Sequence, residues 1–423
     1  MLNLLLKNGT VYLDGAFKKA DVLIKDGVVA DIRREITDCD APVVDIEKLY
    51  MLPGFADVHV HFREPGFSYK ETILTGAKSA AKGGFTMVCA MPNLNPVPDS
   101  VENIKIEQDI IDRDAVINVL PYASITVGEK GEELVDMEAL ADKCFAFSDD
   151  GRGVQSEEMM IEAMKRAKAL NKAIVAHCED ERLLKKGGCI HDGEYARLHN
   201  HIGIPSASES AQVERDVELA RQTGVKYHVC HVSTKESVEA IRQAKAKGAR
   251  VSGETGPHYL AFCDMDLQEH GRFKMNPPIR SAADRDALIA GIKDGTIEVI
   301  ATDHAPHSEE EKMKGLDHSN MGVVGLETSF AAVNTYMVKA GHISFEKLVE
   351  IMAINPRTLF GMEAGIKIGD KADFTIVDRE KEWVVNPEEF ATMGRFTPFE
   401  GLTLTGDVLF TAYNGEAVYN KLI

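Results

Sequence analysis

The chain is predicted to be an α/β protein: a (β/α)8 TIM-type barrel with a small β-sandwich module formed by its N- and C-terminal segments. Three features predict this. From residue 52 to about residue 307, apolar strand-like runs alternate with amphipathic helical runs. Eight strand-like runs can be counted there, which fits a closed barrel of about 250 residues. On either side, the pattern is one of short strands and tight turns.

In chain order, residues 1–50 come first. Asn8-Gly9, Asp14-Gly15 and Asp26-Gly27 are turn or hairpin signals between β-rich runs. The eight barrel strands are expected at 52–62, 85–92, 116–123, 144–148, 173–177, 226–231, 250–254 and 298–302. Ala/Glu/Lys-rich helical runs lie between them, for example 69–82, 156–170, 208–223, 235–247 and 282–293. An open doubly wound sheet is the alternative, but no Gly-x-Gly-x-x-Gly follows a first strand. Further helices are expected at 325–340 and 345–354, with Pro356 and Gly361 ending that region. Short strands return at 371–377, 383–385, 407–413 and 416–419, with Asn414-Gly415 as a hairpin turn. The expected domains are therefore 1–50 and 365–423, the two parts of one β module, and 51–364, the barrel.

Composition bounds the function. The chain has 423 residues, 44% hydrophobic and 27% charged, as in ordinary soluble proteins. A net charge of −19 argues against nucleic acid or an anionic membrane as partner. An anionic substrate would need a local basic site. The seven cysteines are scattered without Cys-x-x-Cys, which fits reduced thiols in the cytoplasm. The N-terminal apolar run is too short for a signal peptide, and no stretch approaches the length of a membrane span.

Barrel chemistry sits at the C-terminal ends of the strands, so those ends are informative. Strand one ends in His59-Val60-His61, strand two in Met91-Pro92-Asn93, and strand four in Asp149-Asp150-Gly151. Strand five ends in His177-Cys178-Glu179, strand six in His231-Val232-Ser233, and strand eight in Asp303-His304-Ala305-Pro306-His307. Singly, these histidines could be core residues and the aspartates helix caps. Chance placement of 14 histidines would not tend to put ligand types at so many strand ends. Nitrogen and oxygen donors without thiolate suit zinc, with manganese or cobalt as alternatives. Four histidines and two aspartates exceed one tetrahedral site and suggest two adjacent metals sharing a bridging hydroxide. Asp57, one strand step before His59, is expected to orient an imidazole. His228, three residues before His231, should face the opposite side of the strand, and His258 should be structural. His191, His199, His201, His270, His318 and His342 lie in polar segments and are expected to do nothing chemical.

The ordered set resembles the amidohydrolase superfamily. The longer phrases are similar to the dihydroorotase family of long bacterial type: 57–66, Met91-Pro92-Asn93, Asp149-Asp150-Gly151, Ala176-His177-Cys178-Glu179, His231-Val232-Ser233-Thr234, Asn276-Pro277-Pro278 and 303–307. The resemblance spans nearly the whole chain. It implies metal ligation by His59, His61, Asp150, His177, His231 and Asp303, with Asp303 also the catalytic proton shuttle. It further implies that Arg63, Asn93 and His307 hold a substrate carboxylate and that Asn276 contacts the substrate ring.

The implied activity is reversible cyclisation of N-carbamoyl-L-aspartate to L-dihydroorotate in pyrimidine synthesis, by metal-bound hydroxide on one or two Zn2+ ions per chain. A homodimer and association with aspartate transcarbamoylase are the implied partners. Two departures are Leu94, where threonine is expected, and Gly256, where cysteine is common. Related hydantoinases bridge their metals with a carboxylated lysine, whereas strand four here offers only Asp149 and Asp150. A hydantoinase, dihydropyrimidinase or allantoinase-type enzyme and a non-catalytic scaffold subunit remain as alternatives. Segment 308–319, rich in Glu and Lys, fits either a mobile lid or a solvated loop.

Overall fold

The computed structural model describes residues 1–422. The N-terminal strands are β1 (Leu4–Leu13), β2 (Ala16–Lys25), β3 (Val28–Arg33), β4 (Val43–Asp45) and β5 (Tyr50–Pro53). The central region contains β6 (Phe55–Val60), β7 (Phe85–Ala90), β8 (Asn118–Pro121), β9 (Ala173–Ala176), β10 (Ile190–His191), β11 (Gly203–Ile204), β12 (Lys226–Val229), β13 (Val251–Thr255) and β14 (Val299–Ile300). The chain ends in β15 (Phe374–Val384), β16 (Thr403–Tyr413) and β17 (Glu416–Asn420).

The central strands close into a ring of eight parallel positions. β6, β7 and β8 pair in that order, and β9, β12, β13 and β14 form a second parallel run. Two joints close the ring. Phe147 bridges Ala123 on one side and Ile174 on the other, and Val60 bridges His304, whose carbonyl accepts from His61 N at 2.8 Å. Strand four is thus a single bridging point rather than the expected run at 144–148. Inward-facing Val58, Met87, Cys89, Tyr122, Ala146, Val175 and Cys230 belong to one buried cluster, so the ring encloses a packed core. The strands' other faces bury against the helices in a larger core.

The first and last segments share one eight-stranded sheet, in which β15 pairs with β5 and β5 with β1. Its residues surround their own core, which includes Leu6, Val22, Met51, Phe374 and Phe410. The turns Asp14-Gly15, Asp26-Gly27 and Asn414-Gly415 each hold two successive residues at positive φ, as two-residue hairpins require. Asn8-Gly9 is not a turn. It forms a bulge inside β1, where the register shifts and Asn8 N donates to Asp21 Oδ1 at 2.8 Å. The expected pair of strands at 371–377 and 383–385 is one irregular strand, β15.

The strand expected at 52–62 is two strands that break at Gly54. β5 belongs to the terminal sheet and β6 to the barrel, which carries the terminal sheet past the expected boundary at residue 50. A Cβ at Gly54 would sit 2.2 Å from Thr86 Oγ1 and 2.5 Å from Asp373 Oδ1. Buried Arg357 ties this crossing, donating to Gly54 O at 2.7 Å and Thr86 Oγ1 at 2.8 Å. Pro356 does not end the helical region, which runs on through Asn355–Thr358. The preceding π-type turn, Glu350–Ile354, already gives up the usual i−4 ladder in which proline cannot donate. Among the described residues, no helix is long and apolar enough to cross a membrane.

The helix expected from residue 69 begins at Ile73, because Thr72 and Thr75 form a capping box there. That leaves Lys70 and Glu71 outside the helix. Glu71 is fully buried and accepts from Thr392 and from Met393 N, while Lys70 turns toward His307.

Gly54→Ala should lower stability by ~1–3 kcal/mol through overpacking. The measurement is thermal unfolding, with an unchanged transition midpoint as the contrary result.

Candidate metal centre

The irregular end of β6 sets the geometry. β6 and β7 lose register between Asp57 and Val60, and His61 lies just beyond the last strand residue. His59 Nδ1 donates to Glu254 Oε1 at 2.7 Å, and His61 Nδ1 donates to Asn93 Oδ1 at 2.9 Å. Each ring then presents Nε2 to the same space. Asp150 lies in that space. Its Oδ1 is 3.3 Å from His59 Nε2, 3.6 Å from His231 Nε2 and 3.9 Å from His177 Nδ1. Its Oδ2 is 3.5 Å from His61 Nε2. Asp303 Oδ1 is 3.0 Å from His61 Nε2 and 3.5 Å from His59 Nε2. His177 Nδ1 meets His231 Nε2 at 3.0 Å. All six side chains expected to be ligands therefore converge, and all are buried.

The backbone is forced at two of these positions. His231 has φ 30° and Asp303 has φ 47°, both in the left-handed region that non-glycine residues avoid. The turn at His231 explains His228. β12 ends at Val229, so strand parity does not extend to His231. His228 faces the barrel interior, not the opposite side, and its Nε2 lies 3.0 Å from Glu254 Oε2.

Asp57 also differs from expectation. Its carboxylate accepts the backbone N–H groups of His59 and Thr302, both at 3.0 Å, and so joins the first and last barrel strands. Burial pushes its pKa up to about 7. The carboxylate that orients an imidazole is Glu254, held between His59 and His228. Sequence reading passed over it, although Gly253-Glu254-Thr255 closes strand seven by the same strand-end rule. An acid inside a buried strand was the available signal. Asp149 takes no part in the cluster and instead accepts from Ile125 N at 2.7 Å and Thr126 N at 3.0 Å.

The donor set fits a metal cation. His59 Nε2, Asp150 Oδ1 and His177 Nε2 are buried without a hydrogen-bond partner. Leaving such atoms unpaired is costly, and so is gathering two carboxylates in a buried site without compensating charge. A cation among them satisfies both. Burial alone would raise the Asp150 pKa, but the imidazoles of His59, His231 and His61 hold it well below the ordinary value. The same balance holds Asp303 below its ordinary value, with His61 its hydrogen-bonded partner.

The four expected substrate residues ring this cluster. Arg63 is at positive φ, and its Nε donates to Pro306 O at 3.3 Å. Burial pulls the guanidinium below its ordinary pKa, while Asp303 and Asp150 act to hold its charge. Asn93 joins His61 to Asp150 Oδ2, the latter at 3.4 Å. Asn276 Nδ2 donates to Glu179 Oε2 at 3.2 Å, and its Oδ1 is buried without a partner. His307 has both ring nitrogens engaged. Nε2 donates to Met321 O at 2.8 Å, and Nδ1 lies 3.2 Å from Lys70 Nζ. Burial and the charges of Arg63 and Lys70 take its pKa down to about 3, so it is neutral. Lys70 was missed because it was assigned to a helix. Segment 308–319 forms two short helical turns, and its Lys312 is buried with Nζ donating to Lys274 O and Asn320 O.

Comparison with known proteins adds a second line. A family profile described as "Dihydro-orotase-like" matches residues 48–237. A dihydroorotase from Fusobacterium nucleatum subsp. nucleatum is 48% identical, with 98% of each chain covered. One from Bacillus caldolyticus is 49% identical, again with 98% of each covered. Among solved structures, L-hydantoinase (dihydropyrimidinase) from Arthrobacter aurescens superposes with a TM-score of 0.88 at 26% identity, covering 100% of this chain and 97% of that one.

Glu254→Gln should weaken metal retention roughly 10–100-fold, because it removes the carboxylate that orients His59. Metal content after dialysis against a graded chelator reads this directly. Retention equal to that of the unaltered protein would mean Glu254 does not orient a ligand.

Proposed function

The chain belongs to the dihydroorotase family, and on that premise we propose that it interconverts N-carbamoyl-L-aspartate and L-dihydroorotate at the six-residue cluster. The observation that carries the reading is a partly buried guanidinium beside a buried cluster of metal-type donors, in a chain of net charge −19. A cyclic amide that also bears a carboxylate calls for both features at once.

Zinc is the proposed cation, on the nitrogen and oxygen donors of His59, His61, Asp150, His177, His231 and Asp303. Asp150 stands near all four imidazoles, which favours two ions sharing its carboxylate. When bound, such ions polarise a carbonyl and bring the pKa of water near neutrality.

The remaining chemistry belongs to the chain. In the ring-opening direction, Asp303 takes the proton of the attacking water and delivers it to the departing ring nitrogen, a general base and then a general acid. Its depressed pKa keeps it ionised before the step. Arg63 and Asn93 hold the substrate carboxylate. His307 joins them by turning its Nε2–H from Met321 O to the substrate, with Nδ1 still accepting from Lys70. Asn276, with an unpaired buried carbonyl, meets the ring. Fixing the substrate in this way removes several kcal/mol of orientational cost. The cyclisation runs through the same groups in reverse.

The structural likeness to a hydantoinase makes ring selectivity the decisive test. Hydrolysis of dihydroorotate should be fast, lost on chelation and restored by zinc, while hydantoin and dihydrouracil, which lack the carboxylate, should be poor substrates. Equal rates on all three would overturn the assignment. Asp303→Asn should cut turnover by about 10²–10⁴-fold with thermal unfolding nearly unchanged. Near-normal turnover in that variant would remove Asp303 from the proton path.

A further inference from the structure

A second group of metal-type donors lies away from the barrel cluster. Cys189 immediately precedes β10, His201 precedes β11, and Asp317 sits in the helical turn Gly315–His318. One donor atom from each of these residues falls within 4.8 Å of the others. Asp317 Oδ1 is 2.7 Å from His201 Nδ1 and 3.4 Å from Cys189 Sγ. The far side of the imidazole is also fixed. His201 Nε2 donates to Glu269 Oε1 at 3.0 Å, and Tyr195 OH donates to the same carboxylate at 2.8 Å.

This arrangement has the parts of a transition-metal site. A carboxylate on Nε2 is the usual partner of a ligating histidine and directs its Nδ1 lone pair the other way. Without an ion, Nδ1–H donates to Asp317 Oδ1, and a cation bound there would take the place of that proton. Sulfur, imidazole nitrogen and carboxylate oxygen together suit zinc better than magnesium or calcium. We propose that Cys189, His201 and Asp317 bind one zinc-type divalent ion, with water completing the coordination.

Two ligands on a tetrahedral zinc stand roughly 3.3 Å apart for bonds near 2.0 Å. Asp317 must therefore draw back slightly from His201, which its 54% exposed side chain is free to do. Binding exchanges the thiol proton and the His201 Nδ1 proton for the ion and releases both to solvent. Affinity therefore rises with pH.

The ion would staple segment 308–319 to both ends of segment 189–201. The staple reaches further through two lysines. Lys274 Nζ donates to Asp317 O at 2.8 Å, and Lys312 Nζ donates to Lys274 O at 2.9 Å. Asn276 and His307 lie on the two strands of chain that these bonds join. The site thus braces the rim of the barrel mouth without touching the barrel cluster. It also assigns a role to His201, which sequence reading expected to do nothing.

The test uses the full chain with its barrel site filled by zinc, titrated with Co2+. Sulfur-to-cobalt charge-transfer absorption should rise and saturate at one equivalent. Cys189→Ser should lose that band yet keep dihydroorotate hydrolysis, and Asp317→Asn should weaken cobalt binding at least tenfold. No band in the unaltered protein, or the same band in Cys189→Ser, overturns the proposal. Those outcomes leave the barrel assignment standing, because it is read by hydrolysis and chelation and not by sulfur.

Discussion

Asp150 among four imidazoles is the contact on which the upper face of the barrel depends. In a low-dielectric interior, a carboxylate cannot stay ionised without compensating charge. Burial here pushes it one way and the imidazoles of His59, His231 and His61 push it the other, and the imidazoles prevail. The outer ring of the site serves that balance. Glu254 turns His59, and Asn93 turns His61. Asp57 pins the first strand to the last, so the donor side chains at the ends of those two strands remain in register.

The strain at His231 and Asp303 follows from the same requirement. A regular strand would set each side chain in or out by its place along its own strand. Bringing both onto one centre means leaving the strand early and turning through positive φ. Closely packed neighbours hold that conformation, and the closing bond from His61 N to His304 O lies within the same layer. The barrel below the site is a filled core, so it does not yield to the forces above it.

Function in this fold rests on the site. The superposition on a hydantoinase covers the whole chain, yet it speaks to architecture. What separates the chemistries is the placement of a few side chains. Aspartate stands at the strand-four end, and the partly buried guanidinium of Arg63 stands beside the cluster. His307 is held neutral between Lys70 and a backbone carbonyl, which leaves positive charge on this side of the cluster to Arg63 and Lys70.

The sequence by itself determined the alternation of strands and helices and the order of the ligand-type residues at strand ends. It also determined the turns at Asp14-Gly15, Asp26-Gly27 and Asn414-Gly415. Each is encoded over a few adjacent residues by periodicity or by tolerance of positive φ. Only the tertiary structure decided features that depend on distant neighbours. Gly54 divides one apolar run between two sheets because Thr86 and Asp373 crowd it. Asn8-Gly9 forms a bulge because Asp21, on the next strand, accepts its N–H. Glu254 rather than Asp57 reaches His59, His228 turns inward, and Asp150 rather than Asp149 enters the cluster. These choices turn on where a strand stops and which way the last residues twist. Local pattern carries no information on that, because the competing contacts come from chain segments far apart in sequence.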